Sequence, residues 1–308
     1  MVFPGKRDME RKAAIITGAT GFVGSHLARR LLDDGWDIHL IVRPQSSLVL
    51  FQDQLDRVTV YRHDGSTDGM LEIVRSAKPA IVFHLASLFL AQHEAEDVEP
   101  MLRSDVIFGT QLVEAMVANG VYQLINTGTS WQHFENESYS PVCLYAATKQ
   151  AFECILTFYA QTTPLRVITL KLFDTYGPND SRLKLFTLLR KAAREQTRLA
   201  MSPGEQLIDL VYIDDVVDAY LLAAQRLHEQ GVDQQEDYAV SSGNPIKLRE
   251  LVEIYCRVTG TRLLIEWGGR PYRSREVMVP WSTGRVLPGW LPKVGIEEGI
   301  RRMEGISR

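Results

Sequence analysis

Short apolar runs alternate with helical patterns along the first half of the chain. Near-continuous apolar runs, typical of strands buried on both faces, occupy residues 13–17, 38–42, 58–61, 80–85, 122–126 and 165–172. Helical periodicity is present at residues 25–33, 106–118 and 145–161. Buried strands that alternate with helices predict an α/β fold with a doubly wound parallel sheet of the Rossmann type.

The pattern becomes irregular after the Tyr-Gly-Pro sequence at residues 176–178. A basic helix is predicted over about residues 182–198, and its charges are interpreted as a solvated face. Asp214 and Asp215 are predicted to cap a further helix that ends near Gln225. The remainder is richer in glycine, proline and tryptophan, which predicts a smaller and less regular second domain.

Composition narrows the possible functions. The 308 residues include 34 Lys and Arg against 38 Asp and Glu, and the net charge of −4 disfavours a basic nucleic-acid binder and a polybasic membrane-surface protein. The longest apolar run, at residues 80–90, is far shorter than the ~20 residues of a membrane helix. The charged residues 1–12 lack the apolar region of a signal peptide. We therefore expect no nucleic-acid partner and no membrane association.

The cysteines and histidines show no metal-ligating or nucleophilic pattern. Cys143, Cys154 and Cys256 form no CxxC pair, which excludes a zinc ribbon or disulfide scaffold and predicts a cytoplasmic protein. The chain has no HExxH, no GxSxG and no Cys/His cluster, so no metal site is expected. His84 is interpreted as a satisfied core histidine. His133 and Cys143 are assigned structural roles, although a second acid/base pair there would permit epimerisation.

A glycine-rich loop, TGATGFVG at residues 17–24, connects the first predicted strand to the first helix. Gly18 suits a turn with positive φ, Gly21 lets the backbone approach a pyrophosphate, and Gly24 lets the helix pack closely on the sheet. Free N–H groups and the helix dipole then favour phosphate binding. We therefore expect a dinucleotide cofactor. The loop residues expected to contact it are Gly18, Thr20, Gly21, Phe22, Val23 and Gly24.

Residues after the second and third strands bear on which dinucleotide is used. Arg43 stands where an NAD enzyme often carries an acidic residue, and an arginine there suits a 2′-phosphate. Ser46 and Ser47 can add hydrogen bonds. Asp64, followed by Gly65, is a candidate acceptor for the adenine amino group. The alternatives are a surface arginine and an aspartate that serves only a turn. We expect NADP(H), with NAD(H) the less favoured cofactor.

Three polar residues form a candidate catalytic set. Tyr145 and Lys149 share one face of a predicted helix, whose apolar stripe at Phe152 and Leu156 faces inward. Thr129 follows the preceding strand. Bringing a tyrosine pKa from ~10 to 7 takes ~4 kcal/mol, and a lysine cation ~4 Å away supplies about that much. We expect Thr129 to bind a substrate oxygen and Tyr145 to transfer a proton.

These motifs together resemble the extended short-chain dehydrogenases/reductases of the nucleotide-sugar epimerase/dehydratase family, over residues 12–300. The resemblance rests on TGATGFVG, on HLAS at residues 84–87, on the Thr/Tyr/Lys set and on YGP at residue 176. It continues through DLVYIDDVVDAY at 209–220 and GWLPKVGIEEGI at 289–300. The resemblance implies a Rossmann domain, residues 12–175 and about 208–240, and a substrate domain, about 176–207 and 241–308. It also implies a homodimer formed through the helices at 106–118 and 145–161.

The resemblance also assigns contacts beyond the glycine loop. Residues implied to contact the cofactor are Leu85, Ala86, Ser87, Thr127, Tyr145, Lys149, Leu172 and Phe173. Residues implied to contact a nucleotide-sugar are Leu88, Thr129, Ser130, Asp174 and Arg270. Arg270 matches the family arginine that binds the substrate diphosphate.

Finer stretches are similar to bacterial 4-ketoreductases of the CDP-abequose and CDP-paratose synthase type. They are NTGTSWQHF at 126–134, PVCLYAATKQAFE at 141–153 and KLFDTYGPND at 171–180. Many family members have an arginine where this chain has Ile208. UDP-galactose 4-epimerases have an asparagine where this chain has Asp174, which disfavours a uridine nucleotide.

The 4,6-dehydratases have Asp-Glu directly after the active-site threonine, whereas Ser130 and Trp131 follow it here. Dehydration therefore lacks its acid and base. The resemblance implies NADPH-dependent reduction of the 4-keto group of an NDP-4-keto-6-deoxyhexose. Three alternatives stay open: an epimerase that retains NAD, a reductase of a different carbonyl compound, and a non-catalytic dinucleotide sensor.

Overall fold

The computed structural model describes residues 12–229 and 233–306, so the charged N-terminal residues 1–11 lie outside the described part. The strands are β1 (Ala13–Thr17), β2 (Asp37–Val42), β3 (Val58–Arg62), β4 (Ile81–His84), β5 (Gln123–Thr129), β6 (Arg166–Leu172), β7 (Asp174–Tyr176), β8 (Arg198–Met201), β9 (Leu207–Ile208), β10 (Leu210–Tyr212), β11 (Gln235–Val240), β12 (Ile246–Lys247) and β13 (Leu264–Trp267). The helices are α1 (Phe22–Asp33), α2 (Thr67–Ala77), α3 (Val98–Leu102), α4 (Phe108–Ala118), α5 (Leu144–Thr162), α6 (Leu185–Glu195), α7 (Ile213–His228), α8 (Leu248–Thr259) and α9 (Ile296–Glu304).

Seven parallel strands form the central sheet in the order β3-β2-β1-β4-β5-β6-β11. Side chains of β1 alternate between two cores: Ala14 and Ile16 enter one with α1 and α7, whereas Ile15 enters the other with α2, α4 and α5. Helices therefore cover both faces, and the predicted Rossmann fold is confirmed. The strand order reverses between β1 and β4, which is where open α/β sheets bind ligands.

Several helices differ from the predictions: α1 begins three residues before its predicted start, and α2 was not predicted. The helix predicted at 106–118 is the end of a longer helical run, because α3 continues into α4 through a π-helical turn, Arg103–Ile107. The predicted basic helix at 182–198 is shorter, since α6 begins at Leu185. The predicted caps of α7 are wrong. Tyr212 is its N-cap, and the Asp215 carboxylate instead accepts the Val294 N–H at 3.0 Å.

Outside the central sheet, three two-stranded sheets pair β7 with β10, β9 with β12 and β8 with β13. The C-terminal segment packs back onto α7, where the Trp290 indole donates to the Asp215 carbonyl at 2.9 Å. The division into a cofactor domain and a substrate domain stays a prediction. Among the described residues, no helix is long and apolar enough to cross a membrane.

Candidate active site

Two cavities that share part of their walls open at the carboxyl ends of the central strands. The smaller, about 220 Å³, lies against the glycine loop, and the larger, about 380 Å³, lies against β8 and residues 270–281. Both are lined by Ser130, Trp131, Phe173 and Asp174. Predicted site residues in the wall of the smaller cavity are Gly18, Gly21, Phe22, Val23, Gly24, Leu85, Ser87, Thr127, Thr129, Ser130, Tyr145, Leu172, Phe173 and Asp174.

The glycine loop fits a dinucleotide pyrophosphate. Gly18 has φ +72°, and a Cβ there would lie 2.6 Å from the Ala86 nitrogen. A Cβ on Gly24 would collide with the Gly18 carbonyl. Gly21 is the N-cap of α1 without a side-chain cap, so the first N–H groups of this helix stay available to a ligand. The loop thus has the close packing and the free donors that the sequence predicted.

The side-chain hydroxyl of Thr17 links the glycine loop to the end of β4 by hydrogen bonds. Thr17 Oγ1 accepts the backbone N–H groups of Leu85 at 3.2 Å and Ala86 at 3.1 Å. It also lies 2.8 Å from Nδ1 of His84. Burial lowers the pKa of His84 to about 3, so this imidazole is neutral at physiological pH. The interpretation of His84 as a satisfied core histidine is only half right. Its Nε2 has no hydrogen-bond partner among the described residues, because Phe108 and Phe152 pack against the ring.

The candidate catalytic set is buried beside the smaller cavity. Thr129 is the last residue of β5, and Tyr145 lies in the first turn of α5. Lys149 follows one turn later, with its Nζ 5.8 Å from the centroid of the Tyr145 ring. The Thr129 hydroxyl oxygen accepts the Trp131 N–H at 3.3 Å, so its hydrogen stays available for donation. Thr129 and Tyr145 line the cavity, and Lys149 lies behind them.

The expected lowering of the Tyr145 pKa is wrong for the protein as described, because this pKa is raised. Burial and the nearby Asp105 carboxylate raise the pKa of Tyr145, and they outweigh the lowering effects of a Ser87 hydrogen bond and the Arg182 charge. Burial also lowers the pKa of Lys149, although Asp105 and Glu153 act to raise it. Burial disfavours the charged form of both groups, the tyrosinate of Tyr145 and the ammonium of Lys149. Tyr145 therefore keeps its proton at neutral pH and is available as an acid.

A buried polar network fixes the backbone of Thr129 relative to α5. We call Gln132, Gln150, Glu153 and Lys171 the Glu153 network. The Gln132 amide oxygen accepts the Thr129 N–H at 2.9 Å, and its nitrogen donates to Glu153 at 3.0 Å and to Gln150 at 2.7 Å. Lys171 of β6 pairs with Glu153 at 3.1 Å. Because Glu153 belongs to α5, the network ties the helix of Tyr145 to the strand of Thr129.

Residues predicted to bind the adenosine part of the cofactor, which we call the adenosine end of the site, line neither cavity. Among the described residues, Thr20, Arg43, Asp64 and Gly65 do not line either cavity. Arg43 is an exposed residue directly after β2. Asp64 Oδ1 accepts both the N–H at 2.8 Å and the hydroxyl at 2.7 Å of Ser66, and these bonds lower the pKa of Asp64. This geometry matches the turn interpretation of Asp64 and leaves its cofactor role a prediction.

The predicted substrate contacts are divided among different places. Asp174 lines both cavities, and the exposed Arg270 lines the larger one. Leu88 and Ala86 line neither within the described chain. Their backbone N–H groups instead donate to Asp105, at 2.9 Å, and to Thr17, at 3.1 Å. Ile208, which replaces the family arginine, lies in the wall of the larger cavity.

His133 lies in the wall of the larger cavity, and Cys143 is the N-cap of α5. The His133 ring stacks on Trp281 with centroids 4.0 Å apart, and its Nδ1 lies 3.1 Å from the Glu137 carbonyl. Burial lowers the pKa of His133 and raises the pKa of the Cys143 thiol, so both groups are neutral at pH 7. Their assignment to structural roles stays a prediction. In the described ranges, no group of three or more His, Cys, Asp or Glu side chains is placed to hold a metal ion.

Sequence reasoning missed several residues of the smaller cavity, namely Phe89, Trp131, Thr175, Arg182 and Lys184. Arg182 and Lys184 were placed on a solvated helix face, but they precede α6 and face the cavity. Asp180 was the available signal, because an aspartate two residues before an arginine can fix it locally. Nε and Nη2 of Arg182 donate to the two carboxylate oxygens of Asp180, both at 2.7 Å.

Comparison with known proteins identifies the family of the chain. The model of the NAD dependent epimerase/dehydratase family matches residues 14–240. CDP-abequose synthase of Salmonella muenchen is 26% identical over 295 residues, which cover 95% of this chain and 97% of that protein. UDP-glucose 4-epimerase of Mycolicibacterium smegmatis is 25% identical, with 94% and 96% covered.

Solved structures share the fold. UDP-glucose 4-epimerase of Thermotoga maritima, solved with UDP-glucose, has a TM-score of 0.82 at 22% identity and covers 95% of this chain and 97% of its own. The Thermus thermophilus UDP-glucose 4-epimerase, solved with NAD, has a TM-score of 0.80 at 23% identity, with 95% and 98% covered. The resemblance to extended short-chain dehydrogenases/reductases is thereby confirmed, and the chain belongs to the NAD dependent epimerase/dehydratase family.

Proposed function

We propose that this protein is an NADPH-dependent reductase of the 4-keto group of an NDP-4-keto-6-deoxyhexose. One observation carries the proposal: Thr129 and Tyr145 line a cavity beside the glycine loop, and this cavity shares four wall residues with a second cavity of about 380 Å³. The arrangement supports a dinucleotide in one cavity and a second substrate in the other, with their reacting ends near the same two hydroxyl groups. The relative at 26% identity is a CDP-abequose synthase, which supports a deoxysugar substrate.

The chain's own residues supply binding and proton transfer. A bound nicotinamide coenzyme supplies a hydride to a carbonyl carbon. The Thr129 hydroxyl, whose oxygen already accepts the Trp131 N–H, donates to the carbonyl oxygen. Tyr145, protonated at neutral pH, gives that oxygen its proton, and buried Lys149 stabilises the tyrosinate that forms. Leu172 and Phe173 add apolar side chains to the wall of the same cavity.

One sequence feature supports net reduction rather than epimerisation, and another disfavours a dehydratase. Arg43 suits the 2′-phosphate of NADP(H), the coenzyme that cells commonly keep reduced. Ser130 and Trp131 replace the acid and base of a dehydratase, so the 4-keto sugar must come from another enzyme. Asp174 and Arg270 are assigned to the nucleotide-sugar because they line the larger cavity. A cytoplasmic homodimer with separate cofactor and substrate domains completes the proposal.

The test is a stoichiometric assay. Purified protein receives NADPH and NDP-4-keto-6-deoxyhexoses with different bases, made by a separate dehydratase. We expect loss of reduced-nicotinamide absorbance in proportion to a product that carries two more hydrogen atoms by mass. Thr129→Val is expected to slow it, with Thr157→Val, an α5 hydroxyl bonded to its own helix at 3.0 Å, as control. A product of unchanged mass, formed without coenzyme loss, would identify an isomerase instead.

A further inference from the structure

Arg182 lies at the amino end of α1, although 160 residues separate it from the glycine loop. Its guanidinium carbon is 4.4 Å from the centroid of the Phe22 ring, and Phe22 is the first residue of α1. Arg182, Phe22 and Gly21 all line the smaller cavity. An arginine stacked on this ring therefore faces the same space as the free N–H groups of the helix.

The guanidinium is held in place from one side only. Its Nε and Nη2 donate to the two carboxylate oxygens of Asp180, both at 2.7 Å, and Nη2 also donates to the Thr175 carbonyl at 3.0 Å. Nη1 makes no hydrogen bond to any residue in the described ranges, so its two hydrogens remain to be donated. A planar group fixed in this way loses little further freedom when it binds an anion.

The segment that carries Arg182 is itself docked on α1. A Cβ built on Gly177 would lie 3.4 Å from the Phe22 ring, so the chain just before Arg182 passes directly beside the first turn of α1. Asp180, which holds the guanidinium, is itself buried. The position of the guanidinium is therefore set by Asp180, Thr175 and Phe22, and not by an unrestrained surface side chain.

We propose that Arg182 binds the pyrophosphate of the dinucleotide, an assignment that rests on the proposed dinucleotide binding. Backbone N–H groups of the glycine loop carry only partial charges, and a pyrophosphate needs donors on more than one side. Within the described chain, the basic side chains that line the smaller cavity are those of Arg182 and Lys184, and Lys184 already pairs with Asp174 at 3.2 Å. Asp180 balances the Arg182 charge, so Arg182 acts mainly through directed N–H donation.

The test measures binding, not turnover. Isothermal titration of the full-length protein compares ADP-ribose, which contains the pyrophosphate, with adenosine, which lacks it. We expect Arg182→Met to weaken ADP-ribose binding by about tenfold or more, the effect of losing a charge-assisted hydrogen bond, and to leave adenosine binding unchanged. Arg249→Met is the matched control, because Arg249 also stacks on an aromatic ring, Trp267 at 4.9 Å, away from both cavities.

Unchanged ADP-ribose binding by Arg182→Met would overturn the assignment, and so would an equal loss for adenosine, which would reveal a distorted cleft. If Arg182→Met fails to fold, Arg182→Lys provides the same comparison, since lysine keeps the charge but cannot hold the fork with Asp180 and donate at the same time. A protein that shows the expected binding pattern yet reduces no 4-keto sugar would contradict the proposed function and leave the assignment of Arg182 intact.

Discussion

The two ends of the candidate cofactor site are built differently. At the catalytic end, Thr129, Tyr145 and Lys149 are at most 9% exposed, and Thr129 is fixed through the Glu153 network to α5 and β6. At the adenosine end, Arg43 and Asp64 are exposed, and the Asp64 side-chain bonds reach only two residues along the chain. The fold itself therefore positions the residues proposed to be catalytic, whereas the residues proposed to select the coenzyme are exposed and held at most by local contacts.

Breaking the Glu153 network tests the rigid end. Lys171→Met leaves the Glu153 carboxylate buried without its cation, so we expect a loss of about 3–5 kcal/mol in the free energy of unfolding, measured with urea. The double variant Lys171→Met, Glu153→Gln is expected to recover most of the lost free energy of unfolding. Lys247→Met removes an exposed ion pair with Glu205 and is expected to change little. A Lys171→Met protein as stable as the wild type would show that the network is not a structural requirement.

Removing one hydroxyl tests the chemistry at the same end. Tyr145→Phe keeps the ring and its edge contact with Phe89, so the fold and cofactor affinity are expected to survive. The rate of carbonyl reduction is expected to fall by about 10²-fold or more, the effect of losing a positioned acid. Tyr159→Phe, on the same helix but bonded to Glu114 at the surface, is the control and is expected to keep full activity. Full activity in Tyr145→Phe would rule out its role.

A charge reversal tests the adenosine end. Arg43→Asp exchanges a cation for an anion at the proposed 2′-phosphate position, so NADPH binding is expected to weaken about 30- to 100-fold while NADH binding changes little. Titration of both coenzymes checks this. Arg75→Asp, on the exposed face of α2, controls for a general change in charge. Equal weakening of the two coenzymes would place Arg43 away from the 2′-phosphate.

Lowering the pH tests the buried end separately, because the histidine with the lowest pKa, His84, is buried there. The pKa of His84 is about 3 in the folded protein and 6.5 when exposed, so the unfolded chain binds a proton first as the pH falls below 6.5. Stability from this group is complete above pH 6.5 and falls by about 2 kcal/mol on reaching about pH 5. Urea unfolding of His84→Gln is expected to show a shallower dependence. His26 and His133, whose pKa values burial also lowers, leave a residual slope.

The sequence predicted the parts of the fold that local patterns specify. All six predicted strands agree with β1 to β6 within three residues, and α5 agrees within one at each end. The glycine loop and the pair Tyr145 and Lys149 were found because their spacing follows from strand, turn and helix geometry. Short strands and helices in the second half, such as β8, α8 and α9, were not predicted, since irregular connections hide their periodicity.

What the sequence could not supply are contacts between distant residues. The pKa of Tyr145 is raised first by burial and then by Asp105, and Asp105 lies in the π-helical turn between α3 and α4, which no local pattern predicts. Gln132 and Lys171 are ordinary polar residues in the sequence and become a buried network only in the fold. Arg182 was assigned to a solvated face because Phe22, on which its guanidinium stacks, meets it only in three dimensions.

Isotope transfer tests the central claim of net reduction most directly. NADPH deuterated at the transferable position is incubated with an NDP-4-keto-6-deoxyhexose, and the sugar product is analysed by mass spectrometry and NMR. The account predicts one deuterium at carbon 4 of every product molecule, with one NADPH oxidised for each. A product without deuterium, formed while the added NADPH stays reduced, would contradict the account and show that hydride is returned within a retained cofactor.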